Sequence, residues 1–488
     1  MIDTFFRRKP LLAAVVGCAV LMVALVVGSG SARAADYVPH EVIVGYRTGA
    51  VVSADELSMV ARRSAAAPGS RARLLRLRPG ESVTAAIARL RRDPGVAYAL
   101  PDYIAHATGN WYPDDPGSSD IPQGWEKMQW NFMPITGVNA PEAWANLLGD
   151  HRGGGKGVVV AVLDTGVAYR RWKQFYPSPD LTRTRFVDPY DFVSGNRYPL
   201  DRNGHGTFVA SMIAESTNNR IGLTGLAYGA SIMPVRILDA SGEGDEATIA
   251  KGIRYAVNHH AQVINLSLEF LPSQVSSGSE IPLIVSAIDY AHRHGVTVVG
   301  AAGNDETDQV AYPARAQNVI SVGATTKDDC LADYSNGGTG LDLVAPGGGD
   351  DAIMTSDPQC NPQANLPSIY QMTLTDPPHW GRFGYPGDYM GTSMSTPEVS
   401  ATAALVIASG VIGRHPTPAQ ILARLEQTAT PLGGSQPNAF YGYGLVNAGA
   451  ATAAGPPVAG PSPTPTPGPT PTPTTPSTTS TSSTATTP

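Results

Sequence analysis

The chain has 488 residues, of which 42% are hydrophobic and only 15% are charged, and its formal net charge is −7 at pH 7. This length allows one to three domains with a large core, and the low charge argues against a highly charged cytosolic protein. The charge is uneven: residues 1–35 and 36–106 each carry a net +3, and the remainder carries −13. An acidic body argues against nucleic acid as a partner, and the basic segment before it is expected to dock on that body.

Residues 1–34 have the pattern of a secretory leader. Three basic residues at 7–9 precede an apolar run at 11–27, and Ala32-Arg33-Ala34 has the small-x-small form of a signal-peptidase site. The alternative is an uncleaved membrane anchor, because the apolar run is nearly long enough to span a bilayer. We therefore expect an exported protein that is not stably inserted in a membrane after the leader is cleaved.

Residues 36–106 are predicted to form a small α+β unit. Alternating apolar residues predict strands at 41–46 and 95–100, and helical spacing predicts helices at 54–63 and 83–92. Two strands and two helices in ~70 residues bury little apolar surface, so this unit is expected to need a partner surface.

A Gly/Pro/Asp/Ser-rich linker at 107–128 leads into a larger domain at 129–452. Here continuous apolar runs alternate with helical patterns, which predicts an α/β fold with a mostly parallel sheet and helices on both faces. Active groups of such sheets gather at the carboxyl ends of the strands. The predicted strands are 158–163, 232–237, 263–268, 296–301 and 319–322, and the predicted helices are 206–214, 247–258 and 284–294.

The C-terminal residues 453–488 are rich in Pro, Thr and Ser. We expect an extended, solvated stalk, either O-glycosylated or threaded through a cell-wall layer. Cys330 and Cys360 form one disulfide if the protein is exported, or they remain two free thiols.

A serine at the start of a helix is the first candidate catalytic group. Small residues in the sequence GTSMSTP, residues 391–397, allow a sharp turn before an Ala-rich helical pattern at 399–409. Free backbone N–H groups and the helix dipole would stabilise an oxyanion formed when Ser393 attacks a carbonyl. Pro397 is tolerated if it lies in the first turn, where N–H groups are unpaired. The alternative is an ordinary Ser/Thr helix start.

Two further motifs supply the partners that a serine nucleophile needs. Asp164 ends an apolar strand in LDTG, and His205 begins a helical pattern in NGHGTFVAS. His205 would act as general base and then general acid, while Asp164 orients and stabilises the imidazole. Asn304 follows another strand, and its amide would complete an oxyanion hole with the N–H of Ser393.

The order LDTG, NGHGTFVAS, AAGN, GTSMSTP resembles the subtilisin-like serine endopeptidases over residues 129–451, ending in YGYGLVNAGAA. The resemblance implies a secreted serine endopeptidase that hydrolyses proteins through an acyl-enzyme on Ser393, with no catalytic cofactor. It implies that residues 36–106 are a propeptide that inhibits the enzyme and assists its folding until self-cleavage, and we expect a monomer. The alternative is a catalytically silent or permanently inhibited binding or surface protein with this fold.

The resemblance also locates a substrate cleft in which peptide binds as an added strand. Its members would be Gly242, Glu243, Gly244, Ser267, Leu268, Glu269, Ala301, Ala302 and Gly303. The chain departs from the family at Glu269, where Gly is usual, and at Ser395 and Glu398, where Ala and His are usual. One hypothesis is that Glu269, with Asp245 and Glu246, favours basic residues in the cleft. The alternative is that Glu269 faces solvent.

The resemblance further implies a structural calcium site made of oxygen donors. Its ligands would be Asp180, Asn219, Ile221 and Leu223, with Gln129 as a further donor. The alternative is a plain turn. A long connection at 348–390 precedes the nucleophile, and connections of this length commonly serve as lids or docking surfaces.

Overall fold

We describe the protein from a computed structural model, which places residues 37–50, 71–78, 81–103, 111–118, 124–148, 153–353, 357 and 360–454. The chain divides into two units, one up to Ala107 and one from Thr108 onward. The secretory leader at 1–34, the helix predicted at 54–63 and the tail beyond residue 454 lie outside the described residues.

The smaller unit is an antiparallel sheet with a helix. It contains β1 (Tyr37–Tyr46), β2 (Ala72–Arg76), α1 (Val83–Leu90) and β3 (Val96–Tyr103), and the strand order is β2-β1-β3. The prediction of two strands was wrong because β2 has the sequence ARLLR, in which only Leu75 is buried. Leu75 joins a small core that also contains Val42, Val44, Ala86, Leu90 and Ala99.

The larger unit has the predicted α/β architecture. Its helices are α2 (Trp125–Met128), α3 (Ala140–Leu148), α4 (His205–Ala214), α5 (Glu246–Asn258), α6 (Pro282–Arg293), α7 (Thr392–Ser409), α8 (Pro418–Thr428) and α9 (Ala448–Thr452). Its strands are β4 (Val159–Asp164), β5 (Arg185–Phe186), β6 (Tyr190–Asp191), β7 (Ser231–Arg236), β8 (Val263–Leu266), β9 (Thr297–Ala301), β10 (Val319–Thr325), β11 (Leu343–Pro346), β12 (Thr373–Leu374) and β13 (Phe383–Gly384).

The main sheet runs in the order β11-β10-β9-β8-β4-β7-β5, and its described pairings are parallel. The first strand of this sheet in chain order, β4, therefore lies between β7 and β8 rather than at an edge. At such a reversal of strand order the connections leave in opposite directions and open a crevice at the carboxyl ends of the strands. Asp164 is the last residue of β4 and faces this crevice.

Strand β4 shows why both faces of the sheet are covered. Val160 and Val162 join the core packed under α4 and α7, whereas Ala161 and Leu163 join the core packed under α5 and α6. Because successive side chains of a strand point to opposite faces, an uninterrupted apolar run is buried on both sides.

Helix α7 lies at the centre of the larger unit. Among its 18 residues only Ser393, Ile407 and Ser409 are not buried, and apart from Glu398 the sequence is apolar or small all round. A helix with this pattern is enclosed by protein on every side. Its N-terminus nevertheless meets the crevice, so Ser393 is held by one of the most buried elements of the fold.

Two segments predicted as connections pack on the larger unit. In the predicted linker at 107–128, the Trp111 ring contacts Trp144 at a centroid distance of 5.7 Å, and Trp125 is fully buried. In the connection at 348–390, Ile369 is fully buried and the Tyr389 ring stacks on Phe208 of α4 at 4.2 Å. The described part of this connection therefore supports the back of α4.

Cys330 and Cys360 form a disulfide, with their Cα atoms 5.4 Å apart. The same two cysteines lie beside Asp351, but oxidised sulfur does not supply thiolate ligands to a metal ion. In the part of the chain that the structure describes, no helix has the length and apolar character needed to cross a bilayer.

Candidate active site

Asp164 and His205 form a hydrogen-bonded pair at the carboxyl end of β4. The Nδ1 atom of His205 lies 2.9 Å and 3.0 Å from the two carboxylate oxygens of Asp164. Asp164 is fully buried, whereas 24% of the His205 side chain is exposed. Burial lowers the pKa of His205, but the charge and hydrogen bond of Asp164 raise it more, with a further contribution from Asp201, so the pKa lies above 6.5.

Asp201 organises the loop that carries His205, a role that the sequence analysis missed. One carboxylate oxygen accepts from the N–H groups of Asn203 and Gly204 and from the Thr165 hydroxyl. The other accepts from the N–H and the hydroxyl of Thr207 in the first turn of α4. The N-cap residue of α4 is Gly204, at φ 114°, which has no side chain to cap the helix. Asp201 therefore caps α4 from outside the helix. The sequence DRNG before the helical pattern is the signal that points to this turn.

Ser393 is the second residue of α7, where the backbone N–H groups have no partner within the helix. The prediction that Pro397 lies in the first turn was wrong, because α7 already begins at Thr392. Pro397 lacks the N–H that would bond to the Ser393 carbonyl four residues earlier. The Ser267 hydroxyl donates to this carbonyl instead, at 2.9 Å, so the backbone of Ser393 is tied to the segment that follows β8.

The hydroxyl of Ser393 donates to the Ser267 carbonyl at 3.3 Å. Among the described residues no hydrogen bond joins Ser393 to His205, but both side chains line one cavity of about 500 Å³. A serine hydroxyl changes partner by rotation about χ1, and catalytic hydrogen bonds are often formed only when substrate is bound. The structure therefore brings the three residues together, with the serine turned toward Ser267.

Asn304 lines the same cavity and is held by the nucleophile's helix. Its Oδ1 accepts from the N–H and the hydroxyl of Thr392, at 2.8 Å and 3.1 Å. This orients the Nδ2 group toward the cavity, where it donates to Glu269 Oε1 at 3.1 Å. An amide NH₂ has two hydrogens, so one remains for a developing oxyanion.

Most of the predicted cleft residues line this cavity, and three do not. The lining includes Gly242, Gly244, Ser267, Leu268, Glu269 and Ala301. Ala302 is instead buried in a separate core cluster, and Gly303 donates its N–H to the Thr392 hydroxyl. Glu243 lies in a turn in which its N–H donates to Asp239.

The other unusual residues of the predicted cleft have structural partners. Asp245 caps α5 by accepting from the Thr248 N–H, and Glu246 accepts from the Leu283 N–H. Ser395 donates to the Ala345 carbonyl. Glu398 is fully buried beside Asn131, and burial raises its pKa well above the ordinary value. Glu398 therefore lies in the core rather than in the cavity.

The predicted calcium ligands are only partly assembled around Asp180. One carboxylate oxygen of Asp180 accepts from Asn219 Nδ2 at 2.6 Å, and the other accepts from the Leu223 N–H at 3.0 Å. The Asn219 Oδ1 accepts from the Ile221 N–H. The Gln129 amide is engaged at both ends by the backbone of Thr224.

Two acids that the sequence analysis missed lie near Asp180. Asp115 accepts from the Asn218 and Asn219 N–H groups, and burial raises its pKa to about 6. Burial likewise raises the pKa of Asp180 to about 7, with a contribution from the charge of Asp115. Glu215 is fully buried, and its pKa is raised well above the ordinary value by burial and by the charges of Asp180 and Asp115.

The carboxylate of Glu215 is the unusual member of this group. The Met372 amide is near enough to oppose the pKa shift, but no hydrogen bond of normal geometry reaches either oxygen among the described residues. Buried carboxylate oxygens without donors are rare unless a proton or a cation satisfies them. The donor set of Asp115, Asp180 and Glu215 is the hard-oxygen type that calcium prefers.

Two family models match the chain. The model of the subtilase family matches residues 155–444, which include Asp164, His205, Asn304 and Ser393. The model of the fervidolysin N-terminal prodomain matches residues 26–102.

Known proteins are similar over most of the length. A thermophilic serine proteinase from Bacillus sp. (strain AK1) is 33% identical over 366 residues, covering 75% of this chain and 75% of the relative. Subtilisin Savinase from Lederbergia lenta is 37% identical over 320 residues, covering 65% of this chain and 97% of the relative. A solved structure of proteases from Pseudoalteromonas arctica PAMC 21717 has a TM-score of 0.55 and 28% identity, covering 70% of this chain and 98% of that chain.

Proposed function

Because this chain belongs to the subtilase family and is a serine-type endopeptidase with an N-terminal prodomain, we propose that Ser393, His205 and Asp164 are its catalytic triad. His205 takes the Ser393 proton as the hydroxyl oxygen attacks the scissile carbonyl, and an acyl-enzyme forms as the amine leaves with that proton. Asp164 holds Nδ1 and stabilises the imidazolium. Water then attacks the acyl group by the same steps in reverse order.

We propose that Asn304 Nδ2 and the Ser393 N–H stabilise the tetrahedral oxyanion. The observation that carries this assignment is the pair of contacts from Thr392 to Asn304 Oδ1, which fixes the amide beside the nucleophile. Peptide is bound between the Gly242–Gly244 turn and the Ser267–Glu269 segment, which form the two sides of the cavity.

The chain is made as a zymogen, and we propose that it processes itself. Strand β3 of the smaller unit ends at Tyr103, and Trp111 already packs on the larger unit, so the cut falls between these residues. The proposed cut therefore lies near the start of the linker predicted at 107–128, so Asp115 remains in the mature enzyme. In the zymogen the prodomain acts as the intramolecular inhibitor, and the leader directs export.

N-terminal sequencing of the secreted wild type and of Ser393→Ala tests both the self-processing by Ser393 and the position of the cut. We expect the wild type to begin between residues 104 and 111, and Ser393→Ala to retain the segment from about residue 36. If Ser393→Ala is cut at the same bond as the wild type in a protease-deficient host, self-processing by Ser393 is refuted.

We further propose that Asp180, Glu215 and Asp115 hold a structural calcium ion together with the Asn218–Leu223 loop. The orphaned oxygens of Glu215 support this proposal, because a cation would balance three buried carboxylates that otherwise repel one another. The ion would stabilise the mature fold and take no part in the chemistry.

Thermal unfolding of the mature enzyme in calcium and in chelator tests this site. We expect calcium at about 100 times its Kd to add about 2.7 kcal/mol to the free energy of unfolding. Glu215→Gln should lose most of this gain, whereas Asp114→Asn should keep it, because Asp114 pairs with Arg220 at the surface. Equal Tm values of the wild type in calcium and in chelator would refute the site.

A further inference from the structure

Glu269 crosses the pocket that lies next to the nucleophile. Its backbone follows β8 on one wall, and its carboxylate reaches Asn304 on the opposite wall, which follows β9. The Asn304 N–H lies 3.2 Å from both carboxylate oxygens, and Asn304 Nδ2 lies 3.1 Å from Oε1. The side chain is thus held in place by three contacts to a single residue.

The carboxylate also fills the slot between the two walls. A Cβ atom built on Gly303 would lie 2.5 Å from Glu269 Oε2, so the carboxylate rests against the backbone of Gly303. Where subtilisin-like enzymes usually have glycine, this chain places a side chain of five heavy atoms, ending in a carboxylate, across the space. With the scissile carbonyl in the proposed oxyanion hole beside Asn304, the side chain of the residue before the scissile bond would enter this same space.

We propose that Glu269 closes the primary pocket and restricts cleavage to bonds that follow small residues such as Ala, Ser, Thr or Gly. The inference rests on the proposed function, since it concerns the same cavity. A Leu or Phe side chain would have to displace the carboxylate and break its three contacts with Asn304. A methyl or hydroxymethyl group fits above the carboxylate without breaking these contacts.

The hypothesis that Glu269 selects basic residues does not fit this geometry. An Arg or Lys side chain needs the same slot, and the carboxylate already has its donors on Asn304. The other two acids of that hypothesis, Asp245 and Glu246, are engaged at helix starts away from Glu269. The stretch that self-processing would cut, residues 104–110, reads IAHATGN and contains four small residues but no Lys or Arg.

Peptide anilides that differ only in the residue before the scissile bond test the proposal. For the processed wild type we expect kcat/KM for Ala to exceed that for Leu and for Arg by about tenfold or more. Glu269→Gly should raise kcat/KM for Leu at least tenfold and should raise the ratio of Leu to Ala cleavage by a similar factor, because Thr392 still holds Asn304. Such a gain of activity cannot arise from misfolding.

Two variants separate size from charge. Glu269→Gln keeps the size of the side chain and should keep the preference for Ala. Glu306→Gln removes an exposed carboxylate outside the cavity and should leave the whole profile unchanged. A wild-type preference for Arg that disappears in Glu269→Gln would overturn the proposal, and so would a wild-type preference for Leu.

Titration calorimetry measures peptide binding and so tests the closed pocket separately from the cleavage reaction. The same peptides are titrated into Ser393→Ala and into Ser393→Ala with Glu269→Gly, after each full chain has been cut at a protease site engineered into residues 104–110 and separated from its prodomain. If the first protein binds the Ala peptide more tightly than the Leu peptide and the second does not, the closed pocket is supported. This holds even if the wild type cleaves no peptide, because absence of cleavage would count only against the proposed function. Equal binding of Ala and Leu to both proteins would overturn the closed pocket while leaving the triad assignment intact.

Discussion

At the scale of single residues, the electrostatics of His205 set the pH range of the enzyme. Burial favours the neutral imidazole, but the buried Asp164 carboxylate favours the cation more strongly and raises the pKa above 6.5. His205 must be neutral to accept the Ser393 proton. Activity should therefore increase as pH rises through this raised pKa.

A pH profile of kcat/KM checks this balance. We expect the acid limb of the wild type to have its midpoint above 6.5, whereas Asp164→Asn should shift the midpoint down, because the charge that favours the imidazolium is removed. Its plateau should also fall by on the order of 10⁴, since the asparagine holds the wrong tautomer. An acid limb that does not move in Asp164→Asn would show that the limb reports another group.

Asn304 gives a second test at the residue scale. Asn304→Ala should lower kcat by about 10²–10³, the usual loss for this donor in subtilisins, and should change KM little, because the hydrogen bond is made mainly in the transition state. A parallel rise in KM with unchanged kcat would place Asn304 in ground-state binding instead.

At the residue scale, some candidate site residues could be predicted from the sequence and others could not. Asp164, His205 and Ser393 lie in short motifs with distinctive neighbours, so sequence alone could propose them as catalytic residues. The roles of Glu215 and Asp115 depend on contacts between distant segments, and no local pattern encodes them. Glu269 was noticed as a departure, but its contact with Asn304 depends on the spacing between two strands, so the sequence alone did not suggest that its side chain closes a pocket.

At the scale of elements, the start of α4 is stabilised from outside the helix. Asp201 accepts five hydrogen bonds that connect β4, the His205 loop and the first turn of α4. The strands and long helices were predicted well because their apolar periods are strong, whereas β2 was missed because its arginines break the alternation.

Asp201→Ala should therefore act on folding and on chemistry together. We expect the free energy of unfolding to fall by about 3 kcal/mol, because buried N–H groups lose their acceptor, and kcat to fall because His205 loses its support. Asp201→Asn, which keeps the shape and part of the acceptor capacity, should lie between the wild type and Asp201→Ala in chemical denaturation. Wild-type stability in Asp201→Ala would contradict this role.

At the scale of the whole molecule, a single disulfide closes a loop in the larger unit. Cys330 and Cys360 are 30 residues apart, and a loop of this length is worth about 3–4 kcal/mol in the chain-entropy account. The pair lies outside the lining of the catalytic cavity. Removing it should therefore affect stability more than activity.

The double variant Cys330→Ala, Cys360→Ala tests this separation. We expect about 3 kcal/mol less stability in chemical denaturation and near-normal peptidase activity at 25 °C. A reducing agent should bring the wild type to the stability of the variant and leave the variant unchanged. If the double variant is fully folded but has lost activity, the disulfide-closed loop would instead support the geometry of the cavity.

The central claim is that folding brings Ser393, His205 and Asp164 into one catalytic group, and covalent labelling measures it most directly. A fluorophosphonate reagent followed by peptide mass spectrometry should place a single adduct on Ser393 in the processed enzyme, and the rate of labelling should fall sharply in His205→Ala. An adduct on another serine, or labelling of Ser393 at the same rate without His205, would contradict the account.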